Sequence, residues 1–351
     1  MTESAIPPHL RVPRTVPPKR NPPVGRSSFA SFSHHLGENL KTLSIAYIGL
    51  QSQSASWAEL VDVMKAANLR LNEVDGPDHR DRARWVDEAG YKTLMIAAYW
   101  LDPAQFRSWM ASAGMDWVDP IAPSDGNGRF LELLWPAVDR VETIVSSFEG
   151  REGFGAIAES ISEPIAEHGY WGSMRDRLPV TQVSTIDAGL SGPARHDSPR
   201  LSVVRLDANA CIIRSGQDYS DTTGEERDYY LNEVEPTLRR GMDYLRDEGR
   251  PIGCYINRYV EVLDEQYAET ERTYSVSWWT DMASLEDWAA LHPTHVAIFG
   301  GFMQHMTRFD QDAQLRLYHE VMVPDAEQQE FWYLDCHLGT GLLRAGAATT
   351  T

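Results

Sequence analysis

The chain has few cysteines, no long apolar run and no apolar leader at its N-terminus. Its three cysteines, Cys211, Cys254 and Cys336, are an odd number in 351 residues, and none belongs to a CxxC motif. This usage favours a reducing, cytoplasmic location over a disulfide-bonded extracellular one. No stretch approaches the roughly 18 uncharged apolar residues of a membrane span, so we expect no membrane partner.

Basic residues are also scarce relative to acidic ones. The 32 Lys and Arg residues face 51 Asp and Glu residues, which gives a formal charge of −19. Such an excess of negative charge is repelled by phosphate backbones and predicts no nucleic-acid partner. The 11 tryptophans, in contrast, are numerous. They are most simply core and interface residues, and aromatic walls also suit a pocket for an apolar small molecule.

The first 28 residues are rich in proline and predict an extended arm, either loose or wrapped over a neighbouring surface. Length alone permits one large domain or two. We expect a single α+β domain over residues 29–345, followed by a short tail over residues 346–351.

Two segments of the chain resemble each other. The strand Tyr91–Trp100 continues into a helix as YWLDPAQFRSW, and the strand Thr273–Trp279 continues into a helix as WWTDMASLEDW. The two align without a gap, and in the first copy Asp102 as the cap with Pro103 just inside the helix predicts the helix start. The aligned pairs are Trp100 with Trp279, Asp102 with Asp281, Phe106 with Leu285 and Trp109 with Trp288.

The strand that precedes each copy agrees as well, because Gly253–Val262 can stand where SIAYIGLQ, Ser44–Gln51, stands in the first copy. Repeated strand and helix units of this kind suggest two ferredoxin-like α+β halves, over about residues 40–150 and 200–345. Such halves can place their sheets face to face as an α+β barrel. A chance similarity between two amphipathic strand-to-helix joints is the alternative.

Residues 284–323 direct two histidines toward the apolar interior. Ser284, followed three residues later by Asp287, predicts the start of a helix that Pro293 must end. A second helix starts near Thr294, and His295 lies on its apolar stripe. The stripe consists of His295, Ile298, Phe299, Phe302 and Met306.

The segment LRLYHEVMV then alternates with the period of a strand. His319 falls on the face that also carries leucine and valine, so it too is predicted to point inward. That face consists of Leu315, Leu317, His319, Val321 and Val323, and the other of Arg316, Tyr318, Glu320 and Met322. A helix and a strand that each aim one imidazole at the same interior suit a cofactor cavity.

The HPTH motif, His292 to His295, resembles a zinc site only superficially, because additional ligands at short spacing are lacking. One inward histidine on an apolar stripe suits an axial haem ligand far better, since haem needs a single nitrogen donor. A core histidine bonded to the backbone is an equal alternative for His295. For His319, a core histidine, a haem ligand and a catalytic acid/base all remain open.

Two further candidates are weaker when taken alone. Ser215 ends the apolar row that Cys211 and Ile213 form on one strand face, and it is most simply a strand-end hydroxyl. Arg175 and Arg177 are most simply surface charges. Beside a cavity, an arginine would pair with a haem propionate or with a polar group of a substrate.

Five separated motifs, HPTHVAIF, LRLYHEV, EHGYWGSMRDR, IRSGQD and YLDCHLGTGLLR, resemble the aldoxime dehydratase family, including phenylacetaldoxime dehydratases. The similarity spans most of the chain beyond the arm. It implies a haem-binding α+β barrel of ferredoxin-like halves, a homodimer, and non-covalent haem b that is ferrous in the active state. The implied substrate is a small aldoxime, which the enzyme converts into a nitrile.

The resemblance also implies roles for individual residues. His295 becomes the proximal haem ligand and thus the metal ligand, His319 the distal general acid/base, and Ser215 a hydrogen-bonding partner of the oxime hydroxyl. Arg177 is placed in the distal pocket. Glu142, in the DRVETI segment, is carried over on a short motif as a further pocket acid.

In the implied reaction, R-CH=N-OH gives R-C≡N and water with the oxime nitrogen on ferrous haem. We hypothesise that protonated His319 gives its proton to the hydroxyl, which Ser215 holds, and that neutral His319 then removes the carbon proton. A haem peroxidase or chlorite dismutase-like enzyme of the same barrel type is the alternative, and those enzymes favour Asp or Arg on the distal face. A non-catalytic haem carrier or sensor is the third possibility.

Overall fold

A computed structural model of the chain describes residues 2–19, 29–189 and 192–345. The predicted tail, residues 346–351, and the second part of the predicted arm, residues 20–28, lie outside the described residues. Helices and strands are both present in quantity, which confirms the α+β class.

Strands dominate the described chain. They are β1 (His34–His35), β2 (Ser44–Ser52), β3 (His79–Val86), β4 (Lys92–Trp100), β5 (Gly128–Leu134), β6 (Val141–Val145), β7 (Ser160–Ile161), β8 (Ala194–Asp197), β9 (Leu201–Arg205), β10 (Cys211–Asp218), β11 (Cys254–Leu263), β12 (Glu269–Trp279), β13 (Arg316–Met322) and β14 (Gln329–Leu334).

The helices are fewer and mostly short. They are α1 (Trp57–Ala66), α2 (Pro103–Trp109), α3 (Met115–Trp117), α4 (Ser173–Arg177), α5 (Gly224–Tyr229), α6 (Glu235–Glu248), α7 (Met282–Leu291) and α8 (Pro293–Phe309). One π-helical turn, Met110–Gly114, joins α2 to α3, and another, Tyr230–Val234, joins α5 to α6. Short 3₁₀ turns span Pro8–Leu10, Val138–Arg140, Gly153–Ile157, Pro179–Gln182, Arg250–Ile252, Asp310–Asp312, Ala326–Gln328 and Gly341–Leu343.

The predicted helix starts are correct in one place and wrong in another. Asp102 caps α2 by accepting a hydrogen bond from the backbone N–H of Ala104, and Pro103 is the first helical residue, as predicted. At α7 the cap is Asp281, whose side chain accepts from the backbone N–H of Ser284 at 2.7 Å. The prediction of Ser284 as the cap is therefore wrong, because the carboxylate three residues earlier already satisfies that N–H.

Twelve strands form one antiparallel row in the order β6-β13-β10-β12-β11-β3-β4-β2-β5-β14-β9-β8. The first half of the chain runs β2-α1-β3-β4-α2-α3-β5, and the second runs β10-α5-α6-β11-β12-α7-α8-β13. In the first half the strands lie side by side in the order β3-β4-β2-β5. In the second half the equivalent order is β11-β12-β10-β13. The two second strands, β3 and β11, join the halves.

This order corrects the proposed alignment of the strands before each copy. The segment Gly253–Val262 forms β11, which corresponds to β3, whereas β10 corresponds to the strand over Ser44–Gln51. We did not predict β3, because Arg80, Arg82 and Arg84 interrupt any apolar alternation there. Pairing with β4 along its length holds this charged strand in the row.

The aligned strand-to-helix joints have matching geometry. Trp100 and Trp109 are both buried, with ring centroids 4.8 Å apart and planes at 40°. Trp279 and Trp288 are also buried, with centroids 5.6 Å apart and planes at 41°. Each pair closes the helix against the end of its own strand.

The row bends so that its two halves face each other across a shared core. The Tyr47 ring on β2 contacts the Trp278 ring on β12, with centroids 5.6 Å apart. Glu132 on β5 accepts hydrogen bonds from Arg258 on β11 at 2.6 Å. Within the described residues the row stays open between β6 and β8, so a closed barrel is not shown.

The described part of the N-terminal arm packs against residues 163–182. The backbone N–H of Ala5 donates to Glu167 at 2.8 Å, and that of Thr15 donates to the carbonyl of Gln182 at 2.8 Å. The arm therefore covers the segment that carries Arg177. Among the described residues, we find no helix with the length and apolar character that crossing a bilayer requires.

Candidate active site

Strands β10 and β13 bring two of the predicted site residues together. Ser215 lies directly opposite His319 in the antiparallel register. Directly opposed side chains on one sheet face have Cβ atoms about 4.5–5.5 Å apart. Ile213 and Val321, the next pair of residues on this face, pack into the apolar cluster formed with α6 and α7. The Ser215–His319 pair thus lies on the helix-covered face of the sheet.

The imidazole of His319 is neutral at pH 7. Burial, the charge of Arg177 and the neighbouring His295 lower the pKa of His319 to about 3. Neither ring nitrogen makes a hydrogen bond with the described part of the chain. Both ring nitrogens are therefore available to hydrogen-bond a bound molecule.

His295 is held in one orientation by its own backbone. Its Nδ1 donates to the carbonyl of Ala289 at 2.7 Å, since a carbonyl oxygen can only accept. The lone pair consequently resides on Nε2, the nitrogen that points away from α7. Burial lowers the pKa of His295 to about 4, which keeps the ring neutral.

Aromatic rings surround His295. Trp288 on α7 meets it edge to face with centroids 4.6 Å apart, and Trp171 does so at 5.9 Å. The Trp171 ring also contacts Phe299, one turn further along α8, at 5.3 Å. These rings form an apolar wall on the helical side of the site.

The apolar stripe of α8 is less buried than predicted. Phe299 is 42% exposed, and the other four members of the stripe are partly buried. The fully buried residue of this helix is His305, whose Nε2 donates to the Glu226 carboxylate on α5 at 3.1 Å. Helical periodicity correctly grouped the stripe on one face, but it did not show how completely the sheet would cover that face.

Arg177 and Glu142 form a buried ion pair beside His319. Nε of Arg177 donates to Glu142 at 2.7 Å and Nη2 at 3.0 Å. The third nitrogen, Nη1, donates to the Glu167 carbonyl and to the Ser173 hydroxyl. Glu142 lies on β6, which pairs with β13 next to His319. Burial raises the pKa of the Glu142 carboxyl, and the Arg177 charge opposes this shift.

The prediction that Arg175 and Arg177, taken singly, are surface charges is wrong for both. Arg177 is buried, and the side chain of Arg175 is only 12% exposed. Arg175 forms an ion pair with Glu286 on α7 at 2.8 Å. Both partners come from distant parts of the sequence, which is why the SMRDR segment alone did not reveal them.

Residues 46–342 match the family model described as haem-containing dehydratase. The chain belongs to this family. Aliphatic aldoxime dehydratase from a Pseudomonas species is 38% identical over 97% of this chain and 98% of the relative. Phenylacetaldoxime dehydratase from Bacillus sp. (strain OxB-1) is 33% identical over 85% of this chain and 86% of that relative.

Solved structures agree with this membership. A crystal structure of aldoxime dehydratase has a TM-score of 0.92 and 35% identity, and covers 99% of this chain and 100% of that one. A crystal structure of aldoxime dehydratase in complex with butyraldoxime has a TM-score of 0.92 and 36% identity, and covers 98% of this chain and 96% of that one. The predicted aldoxime dehydratase resemblance is confirmed.

The residues of this haem-containing dehydratase fit the group that the family binds. His295 offers one unprotonated nitrogen, Nε2, and the aromatic wall beside it offers apolar surface for a porphyrin. Within the described residues, no group of three or more His, Cys, Asp or Glu side chains is placed to hold a bare metal ion. A haem needs only one such donor from the chain.

Sequence inspection of this dehydratase missed two contributors to the site. The carbonyl of Ala289 orients His295, but backbone groups carry no residue-type signal. Trp171 lies in the EHGYWG segment, more than a hundred residues before the histidine that it contacts. Its partly exposed ring in the folded protein is the feature that indicates a role in the site.

Proposed function

We infer that this chain dehydrates aldoximes to nitriles and water, with haem as its cofactor. The observation that carries this inference is the placement of His319 directly opposite Ser215, on the sheet face that packs against α6, α7 and Ile298 of α8, the helix that bears His295. The near full-length similarity to aldoxime dehydratases supports it. The peroxidase and chlorite dismutase alternatives want Asp or Arg as the free distal group, whereas Arg177 is engaged through all three guanidinium nitrogens.

We propose that Nε2 of His295 would hold the haem iron. When bound as ferrous haem, the cofactor supplies a coordination position for the oxime nitrogen and electron density that weakens the N–O bond. The chain itself supplies Ser215, whose hydroxyl hydrogen-bonds the oxime oxygen, and His319, which moves the proton between the carbon and the leaving hydroxyl. Since the reaction removes one C–H proton and one hydroxide, a single imidazole can serve both steps.

The Arg177–Glu142 pair is proposed to tune His319 rather than to hold the substrate. Its guanidinium charge is one of the causes that lower the pKa of His319. Glu142 in turn fixes that charge in the buried site. This assignment keeps Arg177 and Glu142 in the distal pocket and gives Arg177 an electrostatic role there.

The direction of this pKa shift predicts a pH dependence. At pH 7 only a small fraction of the His319 side chains is protonated, because burial and the Arg177 charge lower the pKa of His319 to about 3. If the imidazole must first donate a proton, kcat should rise as the pH falls from 8 to 5, by up to about tenfold per pH unit. Single-turnover rates on reduced enzyme with an unchanged haem spectrum measure this. A rate that does not change with pH would contradict a mechanism in which His319 donates its proton before it removes the carbon proton.

We further propose that residues 29–345 form one domain of two ferredoxin-like halves, over about residues 40–150 and 200–345. The repeated strand order and the matching Trp100–Trp109 and Trp279–Trp288 joints support the duplication. The contacts between opposite halves of the row support a barrel-like arrangement. Residues 1–28 are proposed as an arm and residues 346–351 as a tail.

A cytoplasmic homodimer with no nucleic-acid or membrane partner remains our proposal for the state of the protein. The three cysteines are free, which suits a reducing compartment. The net charge of −19 disfavours anionic partners.

The decisive experiment is a nitrile assay. The purified chain, loaded with haem and reduced with dithionite, should convert butyraldoxime into butyronitrile, as measured by gas chromatography. Phenylacetaldoxime is the parallel substrate that separates alkyl from arylaliphatic preference. Oxidation with ferricyanide should stop turnover, and the haem-free protein is the control. An intact Soret band with no nitrile from either oxime would refute the proposed function.

A further inference from the structure

Strands β10 and β13 are buried on both faces, and their second face is charged. Behind Ser215 and His319, the neighbouring residues Arg214, Tyr318 and Glu320 point into the core between the two halves. Arg214 has no exposed surface, and Glu320 is 1% exposed. The alternation of LRLYHEVMV assigns Tyr318 and Glu320 to the same strand face but does not show that this face is the more deeply buried one.

Arg214 has hydrogen-bond partners on three strands and an aromatic partner on a fourth. Its Nε donates to the hydroxyl of Tyr318 on β13 at 2.9 Å, and its Nη2 donates to Asp81 on β3 at 2.6 Å. Its Nη1 donates to the hydroxyl of Tyr99 on β4 at 2.7 Å. The Tyr274 ring lies against the guanidinium, 4.0 Å from its centre. Each of the three guanidinium nitrogens is therefore bonded to a group that the fold brings to it.

Tyr99 links this cation to Glu320. Its hydroxyl accepts from Arg214 and donates to Glu320 Oε1 at 2.6 Å. The other carboxylate oxygen, Oε2, accepts from the backbone N–H of Phe154 at 2.9 Å. Arg214 and Glu320 are themselves directly opposed in the β10–β13 register, one position from Ser215 and His319.

Gly216 makes room for this arrangement. A Cβ atom at this position would lie 2.0 Å from the ring of Tyr318, which stands directly opposite. The ring can therefore cross over Gly216 to reach Arg214. The face of the sheet that carries Ser215 and His319 is called the reactive face. The RSG and YHE segments each contribute one residue to this face and at least one residue to the buried network behind it.

Such a network fixes strand register. A slip of one residue between β10 and β13 would place Arg214 and Glu320 on different faces of the sheet and would likewise separate Ser215 from His319. Buried ion pairs contribute little net stability compared with apolar packing, but they penalise every arrangement that leaves a charge unpaired. The network therefore discriminates between registers more strongly than it stabilises the fold.

We propose that Arg214, Tyr99, Tyr318 and Glu320 are positioning residues that hold Ser215 and His319 side by side for proton transfer. The inference rests on the proposed dehydratase function. The network does not touch the substrate or the haem site. It acts through the two strands, on the alignment of the hydroxyl and the imidazole.

The core contains a second network that serves as a matched control. Arg258 on β11 donates twice to Glu132 on β5, at 2.6 Å for each bond, and the hydroxyl of Tyr333 on β14 donates to the same carboxylate at 2.6 Å. This cluster also joins a buried arginine, carboxylate and tyrosine. Neither β5 nor β14 carries a residue that we assign to the reactive face.

The test compares Tyr99→Phe with Tyr333→Phe, which each delete one buried hydroxyl bonded to a carboxylate. Both should lower the melting temperature by a similar amount, about 2–8 °C. In Tyr99→Phe, kcat should fall by roughly 10-fold to 100-fold while KM and the Soret band stay unchanged, because misalignment of reacting groups lowers the rate without removing binding contacts. In Tyr333→Phe, kcat should stay within about twofold of wild type.

Equal losses of kcat in the two variants would show that the effect is loss of stability alone and would overturn the proposal, as would unchanged kcat in Tyr99→Phe. Tyr318→Phe removes a different hydroxyl from Arg214 and keeps the experiment decisive if Tyr99→Phe does not fold. Wild-type enzyme that makes no nitrile refutes the proposed function instead, so the two failures are distinct.

Discussion

The His295→Ala variant should lose its haem. Nδ1 of His295 donates its proton to the Ala289 carbonyl, so Nε2 is the unprotonated nitrogen of the ring. Trp288 and Trp171 pack against the ring and hold it in place. Alanine removes the axial donor and leaves only apolar contact for the porphyrin. We expect the Soret band of the purified variant to shift or disappear, the haem content to fall at least about tenfold, and nitrile formation to fall with it.

His292→Ala is the matched control, because it removes the other histidine of the HPTH motif. His292 caps α8 through Thr294 and stacks on Tyr244, with centroids 4.3 Å apart. Its loss should lower stability and leave the haem spectrum intact. An unchanged Soret band in His295→Ala would refute the ligand assignment, and loss of haem in both variants would show that the helix, rather than the nitrogen, had been disturbed.

The His319→Ala variant should retain haem and lose turnover. The imidazole on β13 lies opposite Ser215 and makes no hydrogen bond to the described residues. Its removal therefore should not change the strand register, which the buried residues on the other face of the sheet maintain. Proton transfer by a positioned side chain is typically worth about 100-fold to 10,000-fold in rate, and we expect kcat to fall by that factor. Nitrile production under reducing conditions measures this effect.

His319→Gln separates acid/base chemistry from hydrogen bonding. The amide keeps a polar group of similar size at this position but cannot exchange a proton near neutral pH. Both variants should therefore be inactive to a similar degree, each with a Soret band like that of wild type. Full turnover in either variant would contradict the acid/base role of His319, and near-normal activity in the glutamine variant alone would reduce that role to hydrogen bonding.

Local signals in the sequence predicted much of the fold. The Asp102–Pro103 pair marked the start of α2, and the alternation of LRLYHEVMV marked β13. Strand β3 was missed because its arginines are stabilised by partners on other strands and by aromatic rings, such as that of Trp57 against Arg84. Local propensity cannot report such contacts, since they form only when distant segments meet.

The sequence by itself determined that His295 and His319 each share a face with apolar residues, because the periods of a helix and a strand leave no other choice. It also determined the family, through motifs that are spread along the chain. Only the tertiary structure decided that Ser215 stands opposite His319, that Ala289 orients His295, and that Arg177 is paired with Glu142. Strand pairing and burial are relations between segments far apart in the chain, and the charged face behind His319 is stable because those distant segments satisfy its hydrogen bonds.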